Sequence, residues 1–195
     1  MLPRFNSTTH LIMALESIVL TRDVNVITIP DGAVGQLRQG ETVTLHQALG
    51  NNYTIITSYG HMVRVAGVDA DALGKEVQQV SATRTENSLE DVEKDCWAVM
   101  RTVYDPEIPV NIVDLGLVYV CKVSPSPTYL DHYEVFVEMT LTAPGCGMGP
   151  VIQSDVEKGL RALPCVEKVV VEVVLDPPWS REMMSEIAKV QLNLW

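Results

Sequence analysis

No two of the four cysteines, Cys96, Cys121, Cys146 and Cys165, lie close enough to form a CxxC pair, so a structural zinc site is not signalled. There is no basic run. Lys and Arg number 14 against 25 Asp and Glu, for a formal net charge of −11 and a pI near 4.7. Phosphate recognition needs clustered Lys and Arg, so this balance argues against nucleic acid and equally against an anionic membrane surface. No apolar run approaches the length of a membrane-spanning helix. The patch Leu11–Leu15 is followed at once by Glu16 and lacks the charged leader and cleavage pattern of a signal peptide. A chain of 195 residues, 47% hydrophobic, buries a core without disulfide staples. This cysteine usage fits a reducing compartment, and the protein reads as cytoplasmic.

The first part is β-rich after a tail at residues 1–15, where a short helix from Thr8 is one reading. Short strands are expected at Ser17–Thr21, Asn25–Ile29, Thr42–Leu45, Tyr53–Thr57 and His61–Val65. Between them lie turn signals at Pro30-Asp31-Gly32, Gly40, Gly50-Asn51-Asn52 and Gly60. This spacing predicts a small sandwich or barrel of about five strands over residues 16–75. His46 and His61 stand alone and read as surface or strand-pairing residues rather than ligands. Residues 76–87 are polar and weakly periodic, which marks a linker.

Residues 88–195 read differently. Ser88 precedes a run with Leu89, Val92, Cys96, Val99 and Val103 at alternating spacings of three and four, one buried helical stripe. Asp91 sits where a capping box places its acidic residue. Pro106 ends this helix near Tyr104. Strands follow at Leu117–Val123 and Tyr133–Leu141. A helix after Pro150 carries Ile152, Val156, Leu160 and Leu163, and a third strand spans Val166–Leu175. Val170 and Val174, on the face opposite Val169 and Val171, suggest burial on both sides. Ser180 is expected to cap a last helix with Met183, Met184, Ile187 and Val190. The order helix, strand, strand, helix, strand, helix predicts an α+β fold, a small mixed sheet packed with helices and preceded by the β-rich domain.

The most specific chemical signal is Thr142-Ala143-Pro144-Gly145-Cys146-Gly147-Met148-Gly149-Pro150. It places Cys146 in a glycine-rich turn between a strand end and a helix start. Free N–H groups and the positive dipole end there favour a thiolate. The plainer reading is a small residue in a tight turn. Cys96, Cys121 and Cys165 fall in apolar patterns and read as small core residues. A second segment, Asp105–Tyr119, puts three carboxylates and two prolines among apolar neighbours. Either its carboxylates find partners in a pocket, or Asp105, Asn111 and Asp114 make ordinary turn bonds.

Three segments, Asp105–Tyr119 (DPEIPVNIVDLGLVY), Thr142–Cys146 (TAPGC) and Asp176–Trp179 (DPPW), resemble in order the hallmarks of the metal–sulfur cluster assembly factors. Gln47–Gly50 and Asp69–Gly74 are similar to the N-terminal extension of the bacterial branch called SufT. Relatives include PaaD and a subunit of the eukaryotic cytosolic iron–sulfur targeting complex. The resemblance implies a carrier or targeting adaptor in the maturation of iron–sulfur proteins. Its partners would be the assembly machinery and client apoproteins, with a homodimer as a further option. Cys146 would be the functional thiol, with Asp105, Glu107, Asn111, Asp114, Thr142 and Gly145 as motif and pocket residues. It implies no tightly bound cofactor. A cluster normally takes four cysteine ligands, so Cys146 would meet a transient iron–sulfur cluster or iron, labile or shared between subunits, or would serve docking with no metal at all. The competing classes are an accessory protein of phenylacetyl-CoA oxygenation, a structural adaptor, and a cysteine-dependent hydrolase or acyl transferase. The last needs a base near its nucleophile, and the only histidine after residue 88 is His132.

Overall fold

A computed structural model describes residues 16–50, 52–77 and 88–194. The expectations for the tail at 1–15 and for most of the linker lie outside the described residues. The first unit is one antiparallel sheet of β1 (Glu16–Val19), β2 (Val24–Thr28), β3 (Val34–Leu37), β4 (Thr42–Leu49), β5 (Asn52–Thr57) and β6 (Met62–Ala66), in the order β1-β4-β5-β6-β2-β3. There are six strands where five were expected. The strand missed is β3, Val-Gly-Gln-Leu, an edge strand whose Val34 is exposed. With no buried face it shows no alternation to read. Strand β4 also runs on to Leu49 through an irregularity between Leu45 and Gln47, four residues past the expected end at Leu45. One face buries Ile18, Val24, Val26, Val43, Ile55, Val63 and Val65, closed by Ala72 and Leu73 of a 3-10 turn at Gly67–Leu73.

Part of the opposite face is covered as well. Strand alternation turns Arg64 away from Val63 and Val65, yet all three are buried. Gln47, Thr54, Arg64 and Ile27 form a cross-strand row on that face. Arg64 pairs there with Asp155 of the second unit, and Ile27 and Ile29 pack against the second unit's core.

The second unit has α1 (Leu89–Met100), β7 (Val118–Pro125), β8 (Tyr133–Met139), α2 (Gly149–Arg161), β9 (Val166–Val173) and α3 (Glu186–Gln191). Ser88 caps α1 as expected: its hydroxyl accepts from the Asp91 backbone N–H at 3.3 Å and lies 2.7 Å from the Asp91 carboxylate. Val92, Cys96 and Val99 are buried, but Leu89 is largely exposed, and the helix ends at Met100 rather than at Tyr104. The sheet order is β7-β8-β9, with β7 antiparallel and β9 parallel to β8. That mixed sheet with its crossover helix is the α+β layer the pattern predicts.

Two further expectations fail in this unit. Strand β9 buries Val169 and Val171, while Val170 on its other face is 37% exposed. Helices cover one side of the sheet only, and an apolar residue is often left in water. The last helix is shorter and shifted. Ser180 makes no side-chain cap and is followed by a 3-10 turn at Arg181–Met183. The cap is Ser185, whose hydroxyl accepts from Ala188 N–H at 3.1 Å. Met184 and Ala188 face inward, and Ile187 and Val190 stay exposed.

Candidate functional site at one edge of the second sheet

The sheet register brings the three sequence motifs together. Val118 pairs with Met139, and Met139 pairs with Val173. The segment before β7, the loop after β8 and the chain leaving β9 therefore meet at one edge. Strands β8 and β9 both end there, outside the carboxyl ends of parallel strands, where open α/β sheets place their ligands. Short backbone bonds continue the register past the strands, with Thr140 N–H to Leu117 C=O and Val174 N–H to Met139 C=O, each 2.8 Å.

The first motif is a folded loop with its polar groups satisfied locally. Asp105 is buried, and its Oδ1 accepts from the backbone N–H of Glu107 at 2.8 Å and of Ile108 at 3.0 Å. Burial pushes its carboxyl above the usual range, and these two N–H bonds only partly offset that. Asn111 Oδ1 accepts from Val113 and Asp114 N–H, and Asn111 Nδ2 donates to the Asp114 carboxylate at 2.6 Å. The partner Asp114 needs is thus Asn111. The turn-bond reading holds for these residues, with Asp105 also lining a cavity of about 20 Å³ together with Gln47, Thr54, Arg64 and Tyr104.

The chain after β9 straps this loop down. Trp179 donates its indole N–H to Leu115 C=O at 2.8 Å, Tyr119 hydroxyl donates to Pro177 C=O at 2.9 Å, and Ser185 N–H reaches Asp114 C=O at 2.9 Å. Gln191 amide donates to Pro109 C=O at 3.0 Å. Ser185, Gln191 and Arg181 were not singled out from the sequence. Their only signal was position after the third motif. All three motifs contribute to one groove of about 400 Å³ lined by Glu107, Ile108, Thr142, Trp179, Arg181, Leu192 and others.

Cys146 follows at the same edge, three residues ahead of α2. Its N–H reaches Ala143 C=O at 3.3 Å, and its own carbonyl accepts from Gly149 N–H at 3.0 Å. Gly145 takes φ +79° with open space around it. Met148 behind the loop is fully buried, while Cys146 is half-buried. Its sulfur is taken up by no hydrogen bond among the described residues. The groove's lining brings together Glu107 and Thr142 but does not include Cys146.

The other thiols are placed differently. Cys96 and Cys165 are buried, as expected, but Cys121 is only half-buried. Cys96 and Cys121 share a hydrogen bond, which together with burial raises the Cys96 thiol well above its usual range; the same bond lowers Cys121 against the opposing effect of burial. His132 precedes Tyr133, which pairs with Val166 at the far end of the sheet. It lies a strand length from Cys146, about 20 Å for a strand of this size, and its Nδ1 is 3.0 Å from Leu130 C=O. Among the described residues no three His, Cys, Asp or Glu side chains stand together so as to hold a metal ion. No helix among them is long and apolar enough to cross a membrane.

The chain is 41% identical over 107 residues to an Fe–S protein maturation auxiliary factor of Porphyromonas gingivalis, spanning 55% of this chain and 96% of that one. It is 39% identical over 105 residues to the Fe–S protein maturation auxiliary factor YitW of Bacillus subtilis, covering 54% of this chain and 97% of the relative. It is 41% identical over 92 residues to the Fe–S protein maturation auxiliary factor SufT of Staphylococcus aureus, covering 47% and 98%. These relatives are matched almost end to end by about half of the present chain. Residues 93–173, which run from α1 through the Cys146 loop to the end of β9, match the family described as iron–sulfur cluster assembly protein. With near-complete coverage of relatives at this identity, the chain belongs to that iron–sulfur cluster assembly family.

Proposed function

We propose that this protein is an auxiliary factor in the maturation of iron–sulfur proteins, and that Cys146 is the group through which it meets its cargo. The observation that carries this reading is the presentation of Cys146: a half-buried thiol, free of hydrogen bonds, on a loop that closes one edge of the sheet beside two other motif segments. A thiolate is the ligand that iron–sulfur clusters use. One thiolate does not complete a cluster's ligand set, so the cluster is cargo, with further ligands coming from a client apoprotein, an assembly protein or a second copy. Asp105, Asn111 and Asp114 act as the scaffold that fixes the edge. Glu107 and Thr142 line the groove in which a partner's chain would be recognised.

The protein acts as a carrier or adaptor rather than as an enzyme. A thiol hydrolase needs a base at its nucleophile, and His132 lies at the opposite end of the sheet. Its working surroundings are the cytoplasmic assembly machinery and its clients. The test is Cys146→Ser. The change removes a partly exposed sulfur at a structural effect within about 1 kcal/mol, so the melting temperature stays near that of the wild type. A serine hydroxyl neither ionises near pH 7 nor ligates iron as a thiolate does. The activity of cluster-dependent enzymes should therefore fall several-fold in a strain carrying only the variant. Normal client activity under iron limitation would assign the protein to docking without thiol chemistry.

A further inference from the structure

The first sheet reaches the Cys146 loop. Ile27 and Ile29 carry strand β2 onto the second unit's core, and the turn that follows, Pro30-Asp31-Gly32, lies against Gly147, the residue after Cys146. The approach is backbone to backbone. A Cβ placed on Gly32 would fall 2.3 Å from the Gly147 carbonyl oxygen, and one placed on Gly147 would fall 2.8 Å from the carbonyl oxygens of both Pro30 and Asp31. Neither position has room for any side chain, and Gly32 also takes φ +71°.

The two segments in contact are held in different ways. Thr28 closes the turn: its N–H donates to Ala33 C=O at 2.8 Å, its C=O accepts from Gly32 N–H at 2.9 Å, and its hydroxyl accepts from Ala33 N–H at 3.1 Å. Among the described residues the Cys146 loop makes two backbone bonds, of 3.0 and 3.3 Å, and is otherwise seated by Cys146 and Met148 packing on the core. The turn cannot swing away by itself, because the same face of its sheet is anchored elsewhere by Arg64 on Asp155 and by Gly50 packed against the Thr102 carbonyl. A hydrogen-bonded turn thus backs the loop one residue from the thiol.

We infer that the Pro30–Gly32 turn is a positioning element of the Cys146 site, setting how far the loop opens and hence how readily the thiol is reached. The three Fe–S protein maturation auxiliary factors are covered over 96–98% of their length by 92–107 residues of this chain. They have no length for both sheets, so this control belongs to the longer form. The significance of that control rests on Cys146 being the working thiol, but its existence does not, and the experiment reads it without any assay of cluster transfer.

The full-length protein is treated with limiting iodoacetamide, and labelling of each cysteine is followed by peptide mass spectrometry. Three variants are compared with the wild type. Gly147→Ala adds a clash with the turn at a position without left-handed backbone. Gly32→Ala adds the clash together with left-handed strain. Gly40→Ala, in the same sheet at φ +85° with nothing within 4 Å, adds the strain alone. Cys96, fully buried, reports global opening in every sample. The expected result is that Gly147→Ala and Gly32→Ala each change the Cys146 labelling rate at least threefold while the Cys96 rate stays constant, and that Gly40→Ala leaves both unchanged. Should Gly32→Ala fail to fold, Gly147→Ala carries the test. Cys146 rates within twofold of the wild type in the clash variants would overturn the inference. So would a parallel rise at Cys96, which would make the contact ordinary packing. Cys146→Ser with normal client activity would instead remove the functional reading and leave this result standing.

Discussion

At the residue scale, the carboxylates of the first motif separate structural duty from chemistry. Asp114 directs its carboxylate to Asn111 and does not line the groove, and Asp105 uses one oxygen to hold two backbone N–H groups. Asp105 does so while buried, and burial holds its pKa above the usual range. A carboxyl whose folded pKa is raised stabilises the fold below its unfolded pKa, about 3.9 for Asp, and that contribution is lost as pH rises through the folded value. Ionised Asp105 is therefore a burden near neutrality. Asp105→Asn keeps the Oδ1 acceptor and removes the ionisation. The variant should be at least as stable as the wild type at pH 7, with the difference in melting temperature shrinking or reversing as pH falls toward 4. Melting curves across that range decide it, and a difference that does not vary with pH would mean that Asp105 titrates in the folded protein as it does in the unfolded chain.

At the element scale, regular pieces were legible in the sequence and the strap was not. Strands β7, β8 and β9 and helix α2 bury one face each, so their periods of two and 3.6 show through. Strand β3 lacks a buried face, and Val170 advertised a second buried face that no element covers. The chain after Asp176 was harder still. Its contacts are single hydrogen bonds, from Trp179, Ser185 and Gln191 to carbonyls of the first motif and from Tyr119 of that motif to the Pro177 carbonyl, and such bonds have no period. The closing motif could be read as stiff, but not as a clasp on Leu115. Trp179→Phe tests the clasp. It keeps most of the ring and removes the only indole donor to the Leu115 carbonyl, which should lower stability by about 1–2 kcal/mol. Hydrogen exchange should quicken across residues 111–117 more than in β8. Equal protection of that loop in the variant would show that Ser185 and Gln191 hold it without the tryptophan.

At the scale of the whole molecule, the division into a β-rich part and an α+β part was visible from composition and turn spacing, but their contact was not. It depends on glycines 115 residues apart meeting backbone to backbone, and on one ion pair between Arg64 and Asp155, 91 positions apart. A lone Arg within β6 gives no sequence sign that its face is covered. In the structure that pair is mostly out of water: the Arg64 side chain is 8% exposed and that of Asp155 22%. Burial raises the Asp155 pKa, and the attraction of Arg64 does not fully reverse the shift, which is how a desolvated pair behaves when Coulomb attraction falls short of the hydration lost. The pair is then weak as a source of stability but severe when broken. Arg64→Met alone should leave an unpaired buried carboxylate on α2 and lower stability by about 3–5 kcal/mol, least at acid pH, where Asp155 takes up its proton. The double change Arg64→Met with Asp155→Leu removes both charges and should recover most of that loss, since apolar residues of similar size replace buried pairs at little or no net penalty. Urea denaturation of the four proteins completes the cycle. If the double variant were as unstable as Arg64→Met, the pair would be contributing stability in its own right, and the docking of the two units would rest on that charge contact rather than on Ile27, Ile29 and the glycine contacts around it.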